Sequence, residues 1–197
     1  SESNFPTSWT GEYNYAFFES QLPVSPQEIK TDEVRNVDFQ TGGGKSNGYS
    51  YYHYDGESLG DLTVANNVTI EGSRKIILLV ENADLNINGK IVIDKTGKGF
   101  FMTVVEGVIR VDPLVSHKTN VRLEGIFFSE GNFATGESIT PLDRDDKLIM
   151  RGAISSMRAI KPQRDLGEGN QDMPGDFFEY APELMVLYPS AFTRERL

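Results

Sequence analysis

The sequence predicts an all-β chain, a short right-handed parallel β-helix (β-solenoid) of about four coils. Three observations predict it. Strand formers are plentiful while Ala is scarce. Apolar residues alternate with polar ones in short runs, which marks half-buried strands. The runs recur from Asp61 to Asp84, Val108, Phe133 and Met157, in steps of 23, 24, 25 and 24 residues. A period in the low twenties is the mark of a solenoid in which each repeat is one coil.

Residues 1–57 read as an N-terminal cap, aromatic and rich in turns. Trp9, Tyr13 and Phe17 recur every four residues, so they share one face of a short helix from about Thr10 to Glu19. Ser8 or Thr10 supplies its N-cap, and Pro23 and Pro26 stop it. Residues 40–50, QTGGGKSNGYS, read as a flexible loop. Residues 58–160 form the solenoid. Leu62, Val64, Val68 and Ile70 alternate inward, as do Leu85, Ile87, Ile91 and Ile93, then Ile109, Val111 and Val115. Leu62, Leu85 and Ile109 fall at matching offsets and should stack. Turns at Asn66-Asn67, Asn88-Gly89, Asp112-Pro113 and Gly131-Asn132 separate strands that build three parallel sheets. One run per coil is apolar at consecutive positions: Ile76–Val80, Phe100–Val105, Ile126–Phe128 and Leu148–Met150. Such a run fits a strand covered on both faces. Residues 161–197 are an irregular C-terminal segment that caps the other end through Phe177, Phe178, Tyr180 and Leu184. All three regions make one structural domain.

Composition excludes several classes. The net charge of −10 opposes binding to nucleic acid, whose phosphates require Lys and Arg. Zero cysteines exclude a disulfide scaffold and thiol chemistry. No apolar run approaches the ~18 residues of a membrane span, so this segment is not expected to insert in a membrane. The first residues, SESNFPTSW, lack a signal peptide and an initiating Met, and the chain reads as a mature or trimmed fragment.

The ordered runs YNYAFF, DLTVANNVTI, KIILLVENADLNINGKIVI, GFFMTVVEGVIRVDPLV, LEGIFFSEGNFATG and QRDLGEGNQDMPGDFFEYAPELMVLYP carry a resemblance. Over residues 9 to 190 the chain resembles uncharacterised surface proteins of candidate-phyla (patescibacterial) bacteria. Some of these have a pilin-like N-terminal anchor. Ala83-Asp84 replaces the usual Gly-Asp, and Val108 stands where Asp is usual. The resemblance implies an extracellular or cell-surface location and a β-solenoid fold. It implies no activity.

Candidate sites are few. Tyr49, Tyr51, Tyr52 and Tyr54, with Asn, Asp and Glu nearby, suit stacking on sugar rings or a partner surface; packing of a first coil is the alternative. Ile77 and Phe101 lie in the consecutive apolar runs, some of which must face outward and meet either the termini or a partner. Asp143, Asp145 and Asp146 beside Arg144 offer a weak calcium site or a solvated turn. Asp61 and Asp84 occupy equivalent places on adjacent coils, where two carboxylates could hold a cation or cap turns. His53 and His117 are the only histidines and read as packing or surface groups. No catalytic residue, metal or cofactor is assigned, and no nucleotide-binding, nucleophile-elbow or zinc-protease motif occurs. The sequence therefore points to a non-enzymatic surface module or filament subunit. Its expected partners are copies of itself or other surface proteins. A carbohydrate-binding or polysaccharide-cleaving β-helix is the alternative, with glycans as ligands.

Overall fold

The computed structural model describes residues 13–94, 98–136 and 146–193. The first turn holds β1 (Gln27–Glu28) and β2 (Glu33–Val34), and a hairpin of β3 (Gly44–Ser46) with β4 (Tyr49–Asp55) follows. Next come β5 (Leu62–Val64), β6 (Val68–Ile70), β7 (Lys75–Glu81), β8 (Leu85–Ile87) and β9 (Ile91–Ile93). Then β10 (Phe100–Val105), β11 (Ile109–Val111), β12 (Leu123–Ser129) and β13 (Phe133–Thr135) complete two further turns. The series ends with β14 (Leu148–Ser156), β15 (Ile160–Pro162) and β16 (Asp176–Glu179).

One sheet runs in the order β1-β4-β7-β10-β12-β14-β16, with β3 on its flank. The second runs β15-β13-β11-β8-β5-β2. Every pairing except that of β3 with β4 is parallel. The result is a β-solenoid of about five turns, one more than the sequence spacing suggests. The additional turn lies in the expected cap. β4 pairs with β7 along seven residues, so the boundary placed at residue 58 falls inside the solenoid. Residues 40–50 are not a free loop either. Asn47 and Gly48 both take positive φ, 51° and 82°, as a tight two-residue hairpin turn requires.

The inward column is as expected. Leu62 stands opposite Leu85, and Leu85 opposite Ile109, all three fully buried. Phe133 and Ile160 continue it. Phe133 therefore matches Ile109 and not Val108, and the last copy starts near Ile160 instead of Met157. The last turn keeps one constant offset from Leu123 opposite Met150 to Phe133 opposite Ile160, so the extra residues enter before Met150 and not within the paired strands. The third face is shallower than three full sheets would give. β6 and β9 form it, and it merges with the long sheet where Ile91 meets Leu123. After Val111 the Asp112 carboxylate accepts from the Leu114 amide and Pro113 removes a donor, so a turn replaces the next strand.

The long strands are buried on both faces. Lys75 and Glu81 flank Ile77 and Leu79 at period two, so this set points away from the solenoid core. Register carries the same outer row to Met102 and Val104, then Ile126 and Phe128. Helix α1 (Tyr15–Ser20) and the segment around α2 (Pro182–Val186) cover it. Phe18 packs 5.0 Å from Phe128 and 5.3 Å from Phe192, ring centroid to centroid. Tyr49 donates to the Leu187 carbonyl at 2.5 Å. Glu124 on β12 accepts from Arg151 on β14, and Arg151 also pairs with Glu183 of α2. One close approach demands glycine. Gly125 and Gly152 stack with φ of 147° and 140°, and a Cβ on Gly152 would stand 1.9 Å from the Gly125 carbonyl oxygen.

Candidate functional site

The tyrosine run is buried, with Tyr51, Tyr52 and Tyr54 at 1% exposure or less. Tyr52 packs edge-on to Phe39 at 5.3 Å, and Tyr54 donates to the Gly60 carbonyl at 2.8 Å. Burial raises the phenol pKa of Tyr49, Tyr51, Tyr52 and Tyr54 alike. These rings are packing residues of an early turn and cannot stack on a sugar from solution, which corrects the glycan-contact expectation. Ile77 and Phe101 are likewise fully buried. Phe101 points into the core, 5.9 Å from the ring of Phe127, while Ile77 lies in the outer row that the termini cover. Neither is an exposed contact residue.

The carboxylates divide. Asp143 and Asp145 lie outside the described residues. Asp146 is exposed, and its backbone carbonyl accepts from the Arg164 guanidinium. Asp61 and Asp84 do stack, but as structural acceptors. Asp61 accepts from the Asp84 amide at 3.1 Å, and Asp84 from the Val108 amide at 2.7 Å and from Arg110 at 2.6 Å. Each carboxylate thus holds the backbone of the next turn. His117 accepts from the amides of Thr119 and Asn120 through Nδ1 and organises its own loop.

Two other places stand out. The first is the C-terminal end of the core. Leu62, Leu85, Ile109 and Phe133 are fully buried, yet Ile160, next in the same column, is 47% exposed. Phe178 stands opposite the inward-facing Met150 and is 46% exposed. With Ile154 these side chains line a hollow of about 220 Å³. Phe177, Tyr180 and Met157 are exposed in the same last turns. Arg158 and Lys161, which flank Ile160 in the chain, are exposed cations. In the second sheet, residues bonded toward the following turn alternate with those bonded backward: the Leu62 amide donates to Asp84, and the Asn88 amide to Val64. On that pattern Ile160 and Pro162 face the open edge. Pro162 lacks the donor that a further turn would need, a known way of blunting an edge.

The second place lies where α1 crosses the early turns. Glu28 stands opposite His53, and His53 Nδ1 lies 3.0 and 2.9 Å from its two carboxylate oxygens. On the far side of the ring, Nε2 is 3.2 Å from Glu81 Oε2. One ligand atom each from Glu19, His53 and Glu81 lies within 4.8 Å of the others. Tyr15 precedes Glu19 by one helical turn and is 4% exposed, and its hydroxyl has no hydrogen-bond partner. Burial raises its pKa, and the fields of Glu81, Glu19, Glu106 and Glu28 add to the rise. Sequence reasoning missed this cluster because its members come from four separate segments. The usable signal was the exposed-face period that places His53 and Asp55 outward beside Glu81.

No protein-family model, no curated protein and no solved structure matches the chain.

Proposed function

We propose that the chain is a non-enzymatic surface module that works by end-on contact with a second copy of itself, through the open C-terminal end of its core. The observation that carries this reading is the jump in exposure within one core column, from 0% at Phe133 to 47% at Ile160. An apolar hollow at a solenoid end is an unfinished core, and burying it releases water at about 25 cal/mol per Å². The N-terminal turn offers complementary charge. Glu33 stands opposite Thr63, and Lys161 occupies the equivalent place in the last turn. A copy stacked in register sets Lys161 of one chain beside Glu33 of the next. This contact is head-to-tail and does not close on itself, so it builds short filaments. Because Pro162 removes a ladder donor, side chains and not a continuous sheet must carry the contact. The resemblance to patescibacterial surface proteins supports an extracellular setting for such a module.

The test is sedimentation velocity across a concentration series. We expect association that weakens on Ile160→Asp or Phe178→Asp, is lost with Lys161→Glu, and returns when the Lys161→Glu and Glu33→Lys variants are mixed. A chain that stays monomeric at high concentration, or whose association ignores all four substitutions, overturns the proposal.

A further inference from the structure

We infer that Glu19, His53 and Glu81 form a binding site for a first-row divalent transition cation of the zinc class, with Glu28 as the group that orients the histidine. Three observations carry it. First, both oxygens of Glu28 lie at hydrogen-bond distance from His53 Nδ1, at 3.0 and 2.9 Å. A carboxylate on one ring nitrogen fixes the tautomer that leaves the other nitrogen free to ligate a metal. Second, the other ring nitrogen already faces a carboxylate. Nε2 and Glu81 Oε2 are 3.2 Å apart. Two ligands bound to a tetrahedral zinc at ~2.0–2.1 Å stand about 3.3 Å apart, so the pair needs little movement. The Glu19 carboxylate completes a set whose atoms all lie within 4.8 Å of one another. Third, Tyr15, one helical turn before Glu19, buries a hydroxyl close to these charges. That hydroxyl is a polar group on a residue 4% exposed, with no partner, and it lies in the field of Glu81 and Glu19. A buried hydroxyl without a partner costs free energy unless something occupies the space beside it.

The nitrogen ligand selects the class of ion. Carboxylates and water alone suit calcium or magnesium, whereas an imidazole among carboxylates suits zinc and its neighbours. The charge balance favours the same occupant. Glu19, Glu28 and Glu81 surround one imidazole, and a divalent cation offsets their mutual repulsion. Bound there, it joins α1 to β4 and β7, so it clamps the helix that covers the outer face. This site is separate from the C-terminal end and does not depend on how that end is used.

The experiment uses the full chain freed of metal by chelation and titrated with zinc, manganese and calcium chlorides. Calorimetry reads stoichiometry, and two-dimensional proton–nitrogen spectra read the imidazole rings. We expect one zinc per chain, a higher melting temperature, and a shift of the His53 ring nitrogens while those of His117 stay in place. Glu81→Gln and His53→Gln should each weaken zinc binding at least tenfold, and Glu57→Gln, on an exposed turn, should leave it unchanged. His117 serves as an internal reference, so the spectra of the unaltered chain decide the matter even if a variant folds poorly. No zinc-dependent change at His53, zinc binding that survives both site variants, or calcium binding as tight as zinc overturns the inference.

Discussion

At the residue scale the solenoid is held by side chains that reach one turn ahead. Asn67 accepts from the Lys90 amide at 3.1 Å, as Asp61 does from Asp84 and Asp84 from Val108. Stacked turns lie ~4.8 Å apart, which brings the next backbone donor within reach of a short carboxylate or amide. We expect Asp84→Ala to destabilise the chain by about 1–2 kcal/mol, since it removes a charge-assisted bond to an amide and a half-exposed ion pair with Arg110. Asp61→Ala, which loses one longer bond at an exposed site, should cost under about 1 kcal/mol. Urea unfolding checks both, and equal losses would mean that the Arg110 pair contributes nothing. The equivalence of Asp61 and Asp84 was legible in their 23-residue spacing. The donor was not, because a carboxylate capping its own turn and one capping the next turn have the same sequence. Arg164 was opaque for a related reason. Its guanidinium donates to the carbonyls of Asp112, Pro113, Val115 and Asp146, and no pattern in the sequence announces backbone acceptors.

At the element scale, alternation located strands well and caps poorly. The consecutive apolar runs read correctly as strands covered on both faces, and β7, β10 and β12 are buried almost end to end. The helix is shorter than its aromatic period suggests. It starts at Tyr15, where the Asn14 side chain accepts from the Phe17 amide at 2.9 Å. Trp9 lies outside the described residues, and Tyr13 is 39% exposed, so Phe18 and Tyr15, not Tyr13 and Phe17, are the buried anchors. Period four marks a helical face but does not say which flank of it meets the sheet. Phe18→Ala should therefore cost about 3–5 kcal/mol, the usual range for truncating a buried Phe, because its ring fills the space between Phe128 and Phe192. Tyr13→Ala should cost much less. Chemical denaturation decides, and a loss at Tyr13 equal to that at Phe18 would show that the helix packs by another face. The hairpin at β3 and β4 was legible after all. Asn47-Gly48 is a strong two-residue turn signal, hidden by the glycines before it, which read as a linker.

At the scale of the whole molecule, strand pairing joins each turn to its neighbours, while α1 and the segment around α2 tie more distant turns together on the outer face, so stability should still vary along the axis. The two ends differ. At the N-terminal end, Phe39 packs against Tyr52 and Phe101 and plugs the core. At the C-terminal end, β16 covers β14 only from Leu148 to Arg151, β15 is exposed at all three residues, and Ile160 and Phe178 are half-open. The sequence could not reveal this asymmetry, since Ile160 has the same hydrophobic character as its fully buried equivalents, and it is exposed because no further turn stacks on it among the described residues. The last turn gains packing from one side alone, while the middle turns gain it from both. Local opening should then start there, with a free energy well below that of global unfolding. Native-state hydrogen exchange tests this by position. We expect the amides of Leu78, Thr103 and Phe127 to exchange only through global unfolding, and those of Ile154 and Ile160 to exchange at least a hundredfold faster. Raising the protein concentration should slow exchange at Ile154 and Ile160 selectively, because end-on contact buries that edge. Protection that is uniform from β7 to β15 would show that the last turn is closed by something other than a second copy. Fast exchange at β15 that ignores concentration would leave the end open and remove the case for stacking.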